Sequence, residues 1–236
     1  QRGVTGLSPL GVDLAAFQAW KSDIVGGLNT GVRQLLKAAG VEVRHGSFRF
    51  TRKDQGVIDR GGDLLPVHVK FESCVLATGS RPAVLPGLQR DGVRILDSTD
   101  VLAMQQLPRR MVIVGGGYIG VELGTALAKC GVEVTIVEAT ERLLPGLPAV
   151  VVTPVVRRLA ELGVEVVTGA TVVSDDGSAV TITKEDTTRA IECDVVAVVA
   201  GRVPNTDDLG LDVLGVAVDQ GGLLPVGDDL LVAPRV

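Results

Sequence analysis

Gly115, Gly117 and Gly120 stand at the spacing G-x-G-x-x-G, and Gly116 fills the first gap with a further glycine. Tyr118 and Ile119 fill the second gap. A bare match of this kind arises by chance in a chain with 30 glycines, so its setting must carry the reading. An apolar run at 111–114 precedes the first glycine, and residues 119–129 read as a helix. In that setting Gly115 permits a tight turn, Gly117 lets the backbone approach a pyrophosphate, and Gly120 lets the helix approach the sheet. The unpaired N–H groups of the first helical turn, with their partial positive charge, suit an anion. Glu138 lies 23 residues after Gly115, at the end of the next apolar run. A carboxylate there accepts hydrogen bonds from the adenosine ribose hydroxyls, whereas the 2′-phosphate of NADP would meet its charge. No arginine directly follows Glu138, and Arg142 is too far along to place. These residues are read as a site for the ADP half of NAD in preference to NADP.

Other residues carry weaker signals. Glu122 sits in the first turns of the helix, where the dipole alone favours a carboxylate. Tyr118 either lies along the edge of a bound cofactor or packs against the sheet. Thr78-Gly79-Ser80 and Gly201-Arg202 each close an apolar run, at the strand ends where open α/β sheets place ligands. His45 and His68 have no visible catalytic partner and read as structural or solvated. Cys74, Cys130 and Cys193 show neither C-x-x-C nor C-x₄-C spacing, and the plain reading is buried, structural thiols. No metal site is expected.

The elements that must position these groups follow from periodicity. Asp13 can cap a helix with apolar positions at Leu14, Phe17, Val25, Leu28, Val32, Leu35 and Leu36, and Gly40 is its natural stop. Strands are expected to begin at 41–43 and to occupy 71–77, with a small antiparallel excursion over 48–69 between them. Pro82, Pro86 and Gly87 mark a crossover. Ser98 or Thr99 could cap a short helix. From 111 onward strand, helix, strand, helix (about 150–162) and strand (164–167) alternate, as in a doubly wound unit. Hairpins are expected across 171–193 around Asp176-Gly177 and Glu185-Asp186. Residues 195–200 lack alternation, as a strand covered on both faces does.

Composition narrows the function classes. The chain has 236 residues, 46% of them hydrophobic, which suffices for a sizeable core. A net charge of -5, with four phenylalanines, one tyrosine and one tryptophan, offers neither a basic footprint nor stacking platforms for nucleic acid. No apolar run is long enough to span a bilayer, and the first residues show no signal pattern, so a cytoplasmic protein is expected.

The string also resembles the central portion of the dihydrolipoamide dehydrogenases, within the flavoprotein pyridine nucleotide-disulfide oxidoreductases. The resembling pieces are Trp20-Lys21, Leu35-Leu36-Lys37, Gly40-Val41-Glu42-Val43 and Ala77-Thr78-Gly79-Ser80-Arg81-Pro82. They continue through Asp97-Ser98-Thr99, the glycine segment with Glu122-Leu123-Gly124, Glu138, and Gly201-Arg202-Val203-Pro204-Asn205-Thr206. Leu209-Gly210-Leu211 closes the series. The resemblance implies an α/β fold of two Rossmann-like dinucleotide-binding domains, with the NAD domain inserted in an incomplete FAD domain. Residues 1–97 would be partial FAD domain, 98–211 the NAD domain, and 212–236 a return into the FAD domain.

The resemblance implies FAD beside Thr78, Gly79 and Ser80, with a further adenine-side contact near Phe48. On the NAD side it implies Gly115, Gly116, Gly117, Tyr118, Ile119, Gly120, Glu122, Glu138, a backbone contact near Val172, and Gly201. Glu122 resembles the glutamate paired with a lysine near nicotinamide and flavin, and Tyr118 the residue that swings aside for nicotinamide. The implied reaction passes electrons from dihydrolipoamide through a redox disulfide and FAD to NAD. The implied partners are a second copy in a homodimer and the lipoyl domains of 2-oxoacid dehydrogenase complexes. The resemblance places the redox cysteines, their nearby lysine, the FAD fingerprint, an FAD-contacting aspartate and the His–Glu base outside these residues. The three cysteines do not replace the redox pair, so the residues in hand are expected to be inactive alone. Pro148 stands where relatives commonly carry aspartate. The alternatives are a soluble pyridine nucleotide transhydrogenase or other related reductase, against which Glu138 counts where NADPH is preferred, and an inactive NAD-binding module.

Overall fold

The computed structural model describes residues 12–234 and 236, so the reading of the first residues as lacking a signal pattern lies outside it. The described chain divides into two compact units, one of residues 12–26 and 82–201, the other of 27–81 and the described residues from 202 onward. A 25-residue helix, α1 (Leu14–Ala38), runs through the first division. It starts as the sequence suggests, with Asp13 Oδ1 accepting the Ala16 N–H at 3.0 Å. Its apolar side chains Phe17, Trp20, Leu28, Val32 and Leu35 are exposed, and none of its residues is buried.

In the second unit, β1 (Ser47–Arg52), β2 (Gln55–Asp59) and β3 (Val67–Lys70) form an antiparallel sheet in that order, the excursion expected from the glycine-punctuated pattern. The expected strands at 41–43 and 71–77 do not form. Val41 and Val43 are half exposed and Val75 is 88% exposed, and among the described residues no strand pairs with either segment. An apolar run becomes a strand only when a neighbour takes up its N–H and C=O groups. The strand here is the shorter β4 (Ser80–Pro82).

The first unit holds β5 (Ile95–Leu96), α2 (Ser98–Ala103), β6 (Arg110–Val114), α3 (Tyr118–Lys129) and β7 (Glu133–Glu138). It continues with α4 (Ala149–Glu161), β8 (Glu165–Thr168), β9 (Ala170–Asp175), β10 (Ala179–Lys184), β11 (Thr187–Glu192) and β12 (Val195–Val198). The central sheet has the order β5-β12-β6-β7-β8, and every pairing in it is parallel. Such strands are covered on both faces, which explains their unbroken apolar runs. Met111, Ile113, Val134, Ile136 and Ala197 point to one core, beneath Val101, Leu127, Val152 and Leu159 of the helices. Val112, Val114, Val137, Val196 and Val198 point to the other, beneath Val180, Ile182 and Ile191 of the antiparallel sheet β9–β11. Helices thus take one face and the hairpins take the other, with turns at the two places the sequence marks.

Two helix starts differ in detail from expectation. The cap of α2 is Asp97, not Ser98 or Thr99: its side chain accepts the Thr99 and Asp100 N–H groups while Asp100 returns a bond to the Asp97 N–H. A carboxylate that answers two orphan N–H groups outcompetes the hydroxyl beside it. Pro148 caps α4 without any side-chain acceptor. The thiols differ as well. Cys193 is buried, but Cys74 is only half-buried and Cys130, at the end of α3, is exposed; all three are free. Among the described residues no helix is long and apolar enough to cross a membrane, and no group of three or more His, Cys, Asp or Glu is placed to hold a metal.

Candidate functional site

The glycine turn joins the end of β6 to the start of α3, at the C-terminal edge of the parallel sheet. Its glycines have different causes. Gly115 has φ +119°, and a Cβ on it would lie 2.6 Å from the Val199 carbonyl oxygen. A Cβ on Gly120 would overlap the Gly115 carbonyl oxygen, so the first helical turn closes directly over the loop. A Cβ on Gly116 would overlap Leu143 Cδ2 and lie 2.9 Å from Glu138 Cβ. The fold therefore demands these three. Gly117 is different: its backbone is ordinary extended, φ -72° and ψ -175°, and a Cβ on it would meet nothing within 4 Å. It is the N-cap of α3 and offers no side-chain bond to the helix.

Glu138 ends β7 and is 9% exposed. Its Oε2 accepts the Gly116 N–H at 2.5 Å, and its Oε1 accepts the Thr140 N–H and hydroxyl, each at 2.8 Å. The acid is thus tied to the glycine turn itself. The segment after it closes over that turn, with the Leu144 N–H donating to the Gly116 carbonyl at 2.9 Å and Leu143 buried. Arg142 turns its guanidinium to the Pro145 carbonyl, 2.7 Å away. Spacing marks Glu138 but not Thr140, Leu143 or the tether on Arg142. The only advance signal was the glycine at 116, which the motif leaves free.

Tyr118 opens α3 and is 64% exposed, so it does not pack against the sheet. Ile119 packs against the helix-side core, and Glu122 is exposed on α3. Val172 lies in β9 opposite Ile182 and packs on the hairpin-side core. Gly201 follows β12, and its carbonyl accepts the Ala83 N–H at 3.0 Å.

In the second unit, Thr78, Gly79 and Ser80 are stitched to β13 (Arg202–Pro204) and the residues after it. Asn205 Nδ2 donates to the Thr78 carbonyl and the Asn205 N–H to the Gly79 carbonyl, each at 3.0 Å. Arg202 Nε donates to Ser80 Oγ at 2.7 Å, and Arg81 reaches Asp207 at 2.5 Å. These partners lie more than 120 residues apart in sequence, so spacing alone could not pair them. Phe48 packs edge-to-face on Phe50, with ring centres 4.9 Å apart, and Gly56 leaves room for its ring.

A parallel five-stranded sheet with a glycine turn opening a helix at its carboxyl edge is a Rossmann-like dinucleotide-binding architecture. The profile of the pyridine nucleotide-disulphide oxidoreductases matches residues 6–234, and the chain belongs to that family. It is 40% identical over 219 residues to the dihydrolipoyl dehydrogenase of Geobacillus stearothermophilus, covering 91% of this chain and 46% of that protein. The Staphylococcus aureus dihydrolipoyl dehydrogenase is 41% identical over 213 residues, covering 89% of this chain and 45% of that one. Among solved structures, LpdA from Mycobacterium tuberculosis superposes with a TM-score of 0.83 at 26% identity, over 92% of this chain and 49% of that one. The HOCl-induced flavoprotein disulfide reductase RclA from Escherichia coli gives 0.76 at 27%, over the same shares. The chain therefore spans about half the length of the curated relatives it matches.

Proposed function

We propose that the intact protein is an NAD-linked dihydrolipoyl dehydrogenase, taking electrons from dihydrolipoamide through a redox disulfide and FAD to NAD and yielding lipoamide and NADH. Within it, the unit built on the parallel sheet, which includes 82–201, is the NAD-binding domain, and the unit of 27–81 and 202–236 belongs to the FAD-binding domain. The observation that carries the NAD reading is Gly117. Its three neighbouring glycines are demanded by protein atoms, whereas Gly117 has ordinary backbone angles and open space where a side chain would stand. A bound pyrophosphate at the uncapped start of α3 explains both the missing side chain and the missing cap.

Gly115, Gly116 and Gly120 hold the turn, and the N–H groups of Tyr118 and Ile119 face the phosphates. Glu138 accepts from the adenosine ribose and opposes a 2′-phosphate. Tyr118 covers the nicotinamide entrance, Glu122 pairs with a lysine beside it, and the backbone at Val172 and Gly201 completes the contact with NAD. Thr78, Gly79 and Ser80, braced by Asn205 and Arg202, lie against FAD. When bound, the flavin supplies a relay for an electron pair between a thiol couple and nicotinamide. The relatives' printed names support this substrate. On the same reading the intact protein is a homodimer, takes lipoyl domains as partners and is cytoplasmic.

The likeness to RclA favours one second reading, a flavoprotein disulfide reductase acting on another disulfide. The test is to purify the intact protein and record its visible spectrum. NADH formation is then followed with dihydrolipoamide, with NAD and NADP in parallel. A flavin spectrum with dihydrolipoamide-dependent NADH formation is expected. A colourless protein that binds NAD without turnover would establish a binding module instead. A flavoprotein inert towards dihydrolipoamide would leave the second reading.

A further inference from the structure

The geometry points to Thr140 as a positioning residue that sets the Glu138 carboxylate for ribose, an inference that rests on the NAD reading above. A carboxylate has about four lone-pair sites. In Glu138 three are taken, by the Gly116 N–H, the Thr140 N–H and the Thr140 hydroxyl. Two of these donors are main-chain groups fixed by the glycine turn and the end of β7. The third is a side chain with one hydrogen and two acceptors in reach, Glu138 Oε1 at 2.8 Å and the Arg142 carbonyl at 2.9 Å.

That choice of acceptor gives the hydroxyl its role. It holds Oε1, so that the carboxylate does not turn about its last torsion and keeps its open lone pair in place. When NAD binds, a ribose hydroxyl donates to that open site while the Thr140 hydroxyl stays on Oε1, so every site of the carboxylate is filled. Arg142 is meanwhile drawn to the Pro145 carbonyl, 2.7 Å away, and does not neutralise Glu138. The preference for NAD therefore depends on a residue whose own side chain need not touch the nucleotide.

The test is calorimetric titration of the oxidised intact protein with NAD and with NADP, alongside thermal melting. Thr140→Val keeps the branched shape and the N–H but removes the hydroxyl. NAD affinity is expected to fall about three- to tenfold, the range for loss of one bond to a charged group acting indirectly. NADP, which lacks the 2′-hydroxyl, should change less, so the preference narrows. Thr140→Ser should restore it at an unchanged melting temperature, and Thr140→Ala serves should the valine variant fail to fold. If serine does not restore the preference, the effect belongs to packing and the proposal fails. If removing the hydroxyl leaves the preference intact while Glu138→Gln narrows it, Thr140 has no such role and the NAD reading stands. If neither change alters the preference, Glu138 does not read the ribose, and both fall.

Discussion

Replacing Gly117 with alanine separates what a ligand requires from what the fold requires. The backbone there is extended, with φ -72° and ψ -175°, and a Cβ would meet no atom within 4 Å. Alanine at an N-cap is poorer than glycine by about 1 kcal/mol or less. It also restricts the unfolded chain, which returns about 0.4–1 kcal/mol. The net change in stability should stay within about 1 kcal/mol, and the melting temperature within about 4 °C for a chain of this size. Binding should behave differently. A methyl group forced into a close backbone–pyrophosphate contact costs about 1–3 kcal/mol, as overpacking does elsewhere. That weakens NAD about 5- to 150-fold. Calorimetric titration with NAD beside a melting curve measures both quantities. Gly120→Ala is the contrasting control, since its Cβ would overlap the Gly115 carbonyl oxygen and the protein should unfold or melt far earlier. A folded Gly117→Ala protein with unaltered NAD affinity would refute the assignment of this turn to the pyrophosphate.

The remaining predictions concern the fold that holds the site. Arg94 donates to both oxygens of Asp175, and their side chains are only 16% and 9% exposed. Asp175→Ala should therefore cost about 3 kcal/mol in urea unfolding, and a loss under 1 kcal/mol would mean that the pair is dispensable. Cys130, exposed, should react with a thiol reagent in the native protein. Cys193, 2% exposed and with its thiol pKa raised by burial, should react only on unfolding; equal rates would contradict the packing described. Asp91 and Asp100 are among the carboxylates held below the usual range, Asp91 by the N–H groups of Val93, Ile95 and Arg94, and Asp100 by its bonds to Arg90. Their contribution is complete above an unfolded-state pKa of about 4 and is lost as pH falls through the lower folded-state value. Unfolding measured between neutral and acid pH should show that loss, less steeply in Asp91→Asn. An unchanged slope in that variant would remove Asp91 from the account.

Much of the first unit was legible because its signals are local. The runs that became β6, β7 and β12, the hairpin turns at Asp176-Gly177 and Glu185-Asp186, and the helix after the glycines each depend on spacing within a few residues. Readings failed where a segment needed a distant partner. Residues 71–77 have a strand's composition but no strand beside them among the described residues, and Cys130 follows an apolar helix yet points outward. The cap at Asp97 was missed by one residue because Ser98 and Thr99 are equally good cap types. Which of the three serves depends on Asp100 reaching back.

The sequence by itself determined the strand, the glycine spacing, the helix and the acid that closes the unit, since each is a short-range demand of backbone geometry. It also pointed to the family, because ordered motifs carry that likeness without coordinates. Only the tertiary structure decided which of the four glycines in the turn the protein itself requires, and of those four it left Gly117 as the one that protein packing does not explain. It alone tied Glu138 to Gly116 and Thr140, folded Leu143 over the turn and drew Arg142 to Pro145. Those contacts follow from how the segment after β7 crosses the sheet edge. A spacing rule cannot contain them, because they depend on side chains meeting in space.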